Sequence, residues 1–237
     1  MSETASTASA LAGRRAIIAV QGAAIGAALA QGLERQGAKV ALLGALAESR
    51  AAVDDAIATA AQALGGVDLL VHASATAQAT TPGSLDALTY DVWQAATQRS
   101  LLATLYCLQA AHRQQRERGG AVVVVGPSTA LVGAPGLVPL MTVAEAQRTL
   151  VKSAARQWGQ LGMRLNWVGI SALQYAATLV EAHLPQTPEL GPPPPALGRV
   201  PAVQTEVADV IAWLASDGAR GITGASFNLD GGDWMVP

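Results

Sequence analysis

The sequence predicts an α/β fold: a Rossmann-like, doubly wound parallel sheet in three layers, α/β/α. Three observations predict it. Short β-branched runs such as "AIIAV" and "AVVVV" alternate along the chain with segments of helical spacing. The runs are apolar throughout rather than on alternate residues, as strands buried on both faces require. The 237 residues suffice for one domain with a sizeable core.

The elements follow in order. "AIIAV" (Ala16–Val20) reads as the first strand, and "IGAALAQGLERQG" as a helix ending at Gly37. "KVALL" is a second strand and "ESRAAVDDAIATAAQALGG" a helix closed by glycines. "VDLLVHASA" is a third strand with its loop. A long amphipathic helix spans about Leu88 to Arg116, and "AVVVV" is the fourth strand. A helix from about Val143 to Gln160 and strand "RLNWV" come next. "TEVADVIAWLAS" is a helix with Thr205 as its expected cap, and "ASFNL" the last strand. The stretch "PQTPELGPPPPALGRVP" cannot be a helix interior or central strand, and Pro192–Pro195 favour an extended spacer. Residues 1–12 read as a flexible tail and 13–237 as one domain.

Composition narrows the function. The chain is 51% hydrophobic and 14% charged, against roughly 25% charged in an ordinary domain. Part of the surface is therefore expected to be covered in an oligomer. The net charge of −2 and the lack of a basic cluster argue against nucleic acid and an anionic membrane as partners. No apolar run reaches membrane-spanning length and no signal-peptide pattern opens the chain, so the expected location is cytoplasmic. Cys107, the single cysteine, reads as a small core residue.

Several motifs together resemble the short-chain dehydrogenase/reductase family, from Gly13 to about Met235. "TEVADVIAWLASDGARGITGASFNLDGGDWM" is similar to the family's closing helix, strand and Asp-Gly-Gly tail. "YDVWQAATQRSLLATLYCLQAA" resembles its long interface helix, and "GGAVVVV" with "LVGAPGL" its catalytic strand and following loop. The resemblance implies hydride transfer with a nicotinamide cofactor, a proton-transferring tyrosine, a lysine four residues later, a carbonyl-binding serine and an asparagine on the long helix.

The sequence departs from each of these in turn. Anchored on "VGAPGL", the tyrosine position is Leu140 and the lysine position Ala144; the serine position is Pro127, with Ser128 one place away. The asparagine position is Ser100. The pair that shapes the family's nicotinamide pocket after the next strand reads Ile170-Ser171. In the cofactor turn "VQGAAIGAAL", Gly22 and Gly26 remain and one glycine is missing; they suit either a vestigial phosphate loop or close helix–sheet packing. Gly44 stands where an acid or base would choose between ribose forms. One strand–helix unit is expected to be missing between Gly44 and Glu48, and with it a wall of the adenine pocket. His72, in "HASA", replaces a structural asparagine and is expected to be hydrogen-bonded to backbone.

No replacement chemistry stands out. Ser128, Thr129, Thr142 and Glu145 lie near the old site, with Glu145 expected in a first helical turn, but His72, His112 and His183 are scattered and give neither a triad nor metal spacing. The expectation is a non-catalytic subunit with no catalytic residue, no metal and no cofactor of its own. It would pair with an active homologous subunit that carries NAD, as a heterotetramer, through helices 88–116 and 143–160 and segment 205–229. The pattern of losses is similar to inactive subunits of heteromeric dehydrogenases acting on 3-hydroxyacyl-CoA substrates, as in anaerobic toluene degradation. The alternatives are an enzyme of this fold with other catalysis, a lyase or isomerase using Ser128 or His72, and a free-standing ligand-binding regulator.

Overall fold

A computed structural model describes residues 9–20, 23–44, 49–176, 178–179 and 195–235. Six strands form one parallel sheet in the order β2-β1-β3-β4-β5-β6. They are β1 (Arg15–Val20), β2 (Lys39–Leu43), β3 (Leu69–Ala73), β4 (Gly120–Pro127), β5 (Met163–Ile170) and β6 (Ser226–Leu229). The helices are α1 (Ala23–Arg35), α2 (Arg50–Leu64), α3 (Tyr90–Gln115), α4 (Val138–Trp158), α5 (Ala172–Tyr175) and α6 (Ala208–Ala215).

The apolar runs explain the central strands. Every residue of β3 is buried, as are Ala121–Pro127 of β4. The sheet has one apolar core on each face. One joins Ile18, Val71 and Val123 to Leu29 and Ile211; the other joins Ile17, Leu70 and Val122 to Ile57, Cys107 and Val151. α2 is started by Ser49, whose hydroxyl accepts from Ala52 N, and stopped by Gly65 at φ 77°, where a side chain would be strained.

β2 is the sheet's edge. Only five residues (Ala45–Ser49) separate Gly44 from α2, and a parallel crossover needs a dozen or more. The expected loss of one strand–helix unit is therefore built into the topology. β2 shows it in its burial: Lys39 and Leu42 are exposed, the latter at 47%.

Four expectations need correction. α4 begins at Val138, five residues before Val143, with Pro139 in its first turn. Glu145 is consequently two turns into the helix, where it accepts from Arg148 Nε at 2.9 Å. Thr205 does not cap α6; it lies inside a π-helical turn, Val203–Val207, and Glu206 instead accepts the Ala202 N–H at 3.0 Å. The packed domain also starts before Gly13: Leu11 is fully buried and its N–H donates to Gln36 O. Residues 1–8 of the expected tail, Gly22, His183 and most of the proline-rich stretch lie outside the described residues. Its described end docks on the double glycine of the tail, where Leu197 N–H donates to Gly231 O.

Candidate functional site

In an open parallel sheet the ligand crevice lies at the carboxyl ends of the strands, where the chain order reverses. Here that place is between β1 and β3. A dinucleotide requires glycines that admit phosphate to a helix N-terminus, and a polar residue at the end of the second strand. Gly26 does a different job. A Cβ there would stand 2.5 Å from Val20 Cγ2 and 3.2 Å from Leu42 Cδ1, so the glycine lets α1 sit against the sheet. Gly44 faces open space and offers no polar side chain.

The positions that resemble the family's chemistry are apolar and closed. Leu140 and Ala144, one helical turn apart on α4, are 0% and 1% exposed and belong to the first core. Pro127 ends β4 in register with Ile170 of β5. Ser128 and Thr129 open the following 3-10 turn, and both hydroxyls are buried without a partner. Ser100 on α3 accepts the Thr76 N–H at 3.1 Å and donates to Ala96 O, which fixes the loop after β3. The described residues therefore do not fit the proton-transfer chemistry that goes with a nicotinamide cofactor: nothing at Leu140, Ala144 or Pro127 can exchange a proton.

A buried polar network joins His72, Thr104 and Gln147. His72 Nδ1 lies 3.0 Å from Ala19 O and Nε2 lies 2.9 Å from Thr104 Oγ1. The carbonyl can only accept, so Nδ1 carries the proton; the one hydroxyl hydrogen of Thr104 is shared between His72 Nε2 and Ser100 O, which lies 3.1 Å away. Gln147 Nε2 in turn donates to Thr104 Oγ1 at 2.8 Å and to Ser74 O at 2.9 Å. Burial pushes the His72 pKa down to about 4. The expected backbone bond of His72 is present, and both ring nitrogens are engaged away from Ser128. Burial likewise pushes the Cys107 thiol up to about 12, as befits a core residue. No cluster of metal-ligating residues occurs among the described residues.

The residues missed from sequence are Thr104, Gln147 and Tyr175. Tyr175 ends α5, is 7% exposed, and turns its hydroxyl toward the Ser74 backbone without completing a hydrogen bond of ordinary geometry. Thr104 and Gln147 sit on different helices, and only the packing of α3 on α4 brings them together. On the outer side of that helix pair runs an apolar groove of about 850 Å³, lined by Leu101, Leu105, Met141, Ala146 and Leu150, with Glu145 at its side. No helix among the described residues is long and apolar enough to cross a membrane.

Comparison with known proteins agrees with this architecture. The family described as Enoyl-(Acyl carrier protein) reductase matches residues 47–233. That match starts beyond β1, the glycine turn and β2. The chain is 28% identical over 195 residues to a probable 2,4-dienoyl-CoA reductase of Bacillus subtilis, covering 80% of this chain and 74% of the relative. It is 30% identical over 178 residues to a 3-oxoacyl-(acyl-carrier-protein) reductase of Staphylococcus aureus, covering 72% and 68%. A gluconate 5-dehydrogenase of Gluconobacter oxydans is 27% identical over 250 residues, covering 94% and 95%. The sheet order, the matched residues and these relatives together lead to one conclusion: the chain belongs to the short-chain dehydrogenase/reductase family.

Proposed function

We propose that this chain is a non-catalytic subunit of a heteromeric NAD-dependent short-chain alcohol dehydrogenase, supporting an active homologous subunit. The observation that carries the reading is the burial of Leu140 and Ala144, at 0% and 1% exposure, where the chemistry needs a tyrosine and a lysine. Neither side chain can move a proton, and neither faces a space a substrate could enter. The NAD of the complex belongs to the partner, which retains the tyrosine and lysine.

The contact surface is the α3–α4 groove, extended by segment 205–229, where Trp213 packs edge-on against Phe227 at 6.2 Å. A subunit that binds only the folded partner stabilises it by mass action. Two of the relatives named above act on acyl thioesters by their names, which suits a 3-hydroxyacyl-CoA as the alcohol oxidised. The pattern of losses narrows this to 2-[hydroxy(phenyl)methyl]succinyl-CoA, the alcohol oxidised in anaerobic toluene degradation.

The test is co-expression with an intact homologue encoded beside it. The expected result is one complex of both chains, with turnover that vanishes when the partner's tyrosine becomes phenylalanine. Turnover by the isolated chain, or two chains that never co-purify, would overturn the reading.

A further inference from the structure

The loss of chemistry at Leu140 and Ala144 does not by itself close the crevice. To shut the crevice, the space at the ends of β4 and β5 that a planar ring would need must also be filled. The fold answers with one side chain from an unexpected place. β4 and β5 run side by side to Pro127 and Ile170, and the chain leaves β5 through Ser171 into the four-residue α5. α5 packs on β4, and its last residue, Tyr175, brings its hydroxyl to the backbone of Ser74, in the loop after β3. In the sheet, β4 stands between β5 and β3. A side chain that starts after β5 and reaches the chain after β3 therefore crosses the carboxyl end of β4.

We propose that Tyr175 is a built-in plug: its ring occupies the part of the crevice where a planar aromatic amide such as the nicotinamide ring would stand. The inference rests on the non-catalytic reading and identifies what shuts its site.

Three features hold the ring there. Tyr175 N–H donates to Ser171 O at 3.0 Å, which closes the turn. Gln174 Nε2 donates to Pro201 O at 2.9 Å and ties α5 to the segment entering α6. Thr178 Oγ1 donates to Thr80 Oγ1 at 2.9 Å and ties the chain beyond to the loop after β3. Tyr175 is 7% exposed and belongs to the same core as Leu140 and Ala144. Its hydroxyl is buried without an ordinary partner, an arrangement tolerated here although an unpaired buried hydroxyl is unfavourable. Shape, and not polar recognition, is what this residue supplies.

The experiment uses the full chain and 3-fluorobenzamide, an aromatic amide of nicotinamide size, followed by fluorine NMR line broadening. The α3–α4 groove is common to all the proteins compared, so the reading is the excess over wild type. Tyr175→Ala should show excess broadening with millimolar affinity, because removing the ring opens a cavity of benzene size. Tyr175→Phe keeps the plug and should match wild type. If the alanine variant does not melt cooperatively, Tyr175→Leu is read in the same way, since it keeps an apolar anchor and loses the ring. A folded Ala or Leu variant equal to wild type, or excess broadening in Tyr175→Phe, would overturn the plug and leave the non-catalytic reading standing. Turnover with NAD by the isolated wild-type chain would remove both.

Discussion

His72 and Thr104 meet at 2.9 Å in an interior that water does not reach, where the loss of hydration favours the uncharged ring. The folded pKa is about 4, below the ordinary 6.5, so the unfolded chain takes up the proton first as pH falls. Stability is complete above about pH 6.5, falls between there and pH 4, and levels off about 3 kcal/mol lower. Asp68, held below the usual range by its bonds to Arg15, contributes only to losses at lower pH. Urea unfolding at pH 7 and pH 4.5 should show the drop, and His72→Asn should flatten it. An equal slope in both proteins would remove the assignment to this histidine.

Gly26→Ala separates the two uses of a glycine. Alanine is the better helix former, by about 1 kcal/mol. The added Cβ would nevertheless stand 2.5 Å from Val20 Cγ2, against a β-branched residue of a buried strand. We expect net destabilisation of about 1–3 kcal/mol, seen as a lower melting temperature. A gain in stability would mean that the glycine is retained for something other than packing.

Restoring the catalytic residues should restore nothing. In the triple variant Leu140→Tyr, Ala144→Lys and Pro127→Ser, the lysine enters a position 1% exposed, at a cost of several kcal/mol. The positioning of a cofactor can be worth roughly 7–11 kcal/mol of a barrier, and on the non-catalytic reading this chain does not supply it. The expected result is a less stable protein with no NADH-dependent carbonyl reduction. Calorimetry of the wild-type chain with millimolar NAD or NADP should likewise give no heat of binding.

Leu101→Glu and Leu105→Glu place a carboxylate in the α3–α4 groove. Both residues are half-buried in the single chain, so each variant should fold. An unpaired charge in a covered surface costs several kcal/mol, and the complex should separate on a sizing column. Unchanged elution of both variants would place the contact elsewhere.

Legibility followed the range of the interactions. β1, β3 and β4 were readable because each is a short apolar run, and the lost unit after β2 because too few residues remain to form it. α4 starts five residues before the expected Val143, with Pro139 in a first turn that needs no N–H from it. Thr205 resembled a cap, but the chain enters α6 through a π turn whose geometry has no sequence signature. Leu140 and Ala144 are apolar in the sequence itself, and their burial follows from that. The network of His72, Thr104 and Gln147, and the reach of Tyr175 to Ser74, join residues 32 to 101 positions apart (72 to 104, and 74 to 175). No local pattern encodes such distances.

The truncated sheet leaves a mark that a deuterium clock would read. Lys39 N–H donates to Arg14 O, so alternate residues of β2 face β1, and the amides of Val40 and Leu42 point outward. Among the described residues no strand pairs with that side. Within five residues, then, slow and fast isotope exchange should alternate: Ala41 and Leu43 protected by β1, Val40 and Leu42 surrendering hydrogen to solvent. The exposed ammonium of Lys39 at the start of the strand and its short length also discourage a second chain from extending the sheet there.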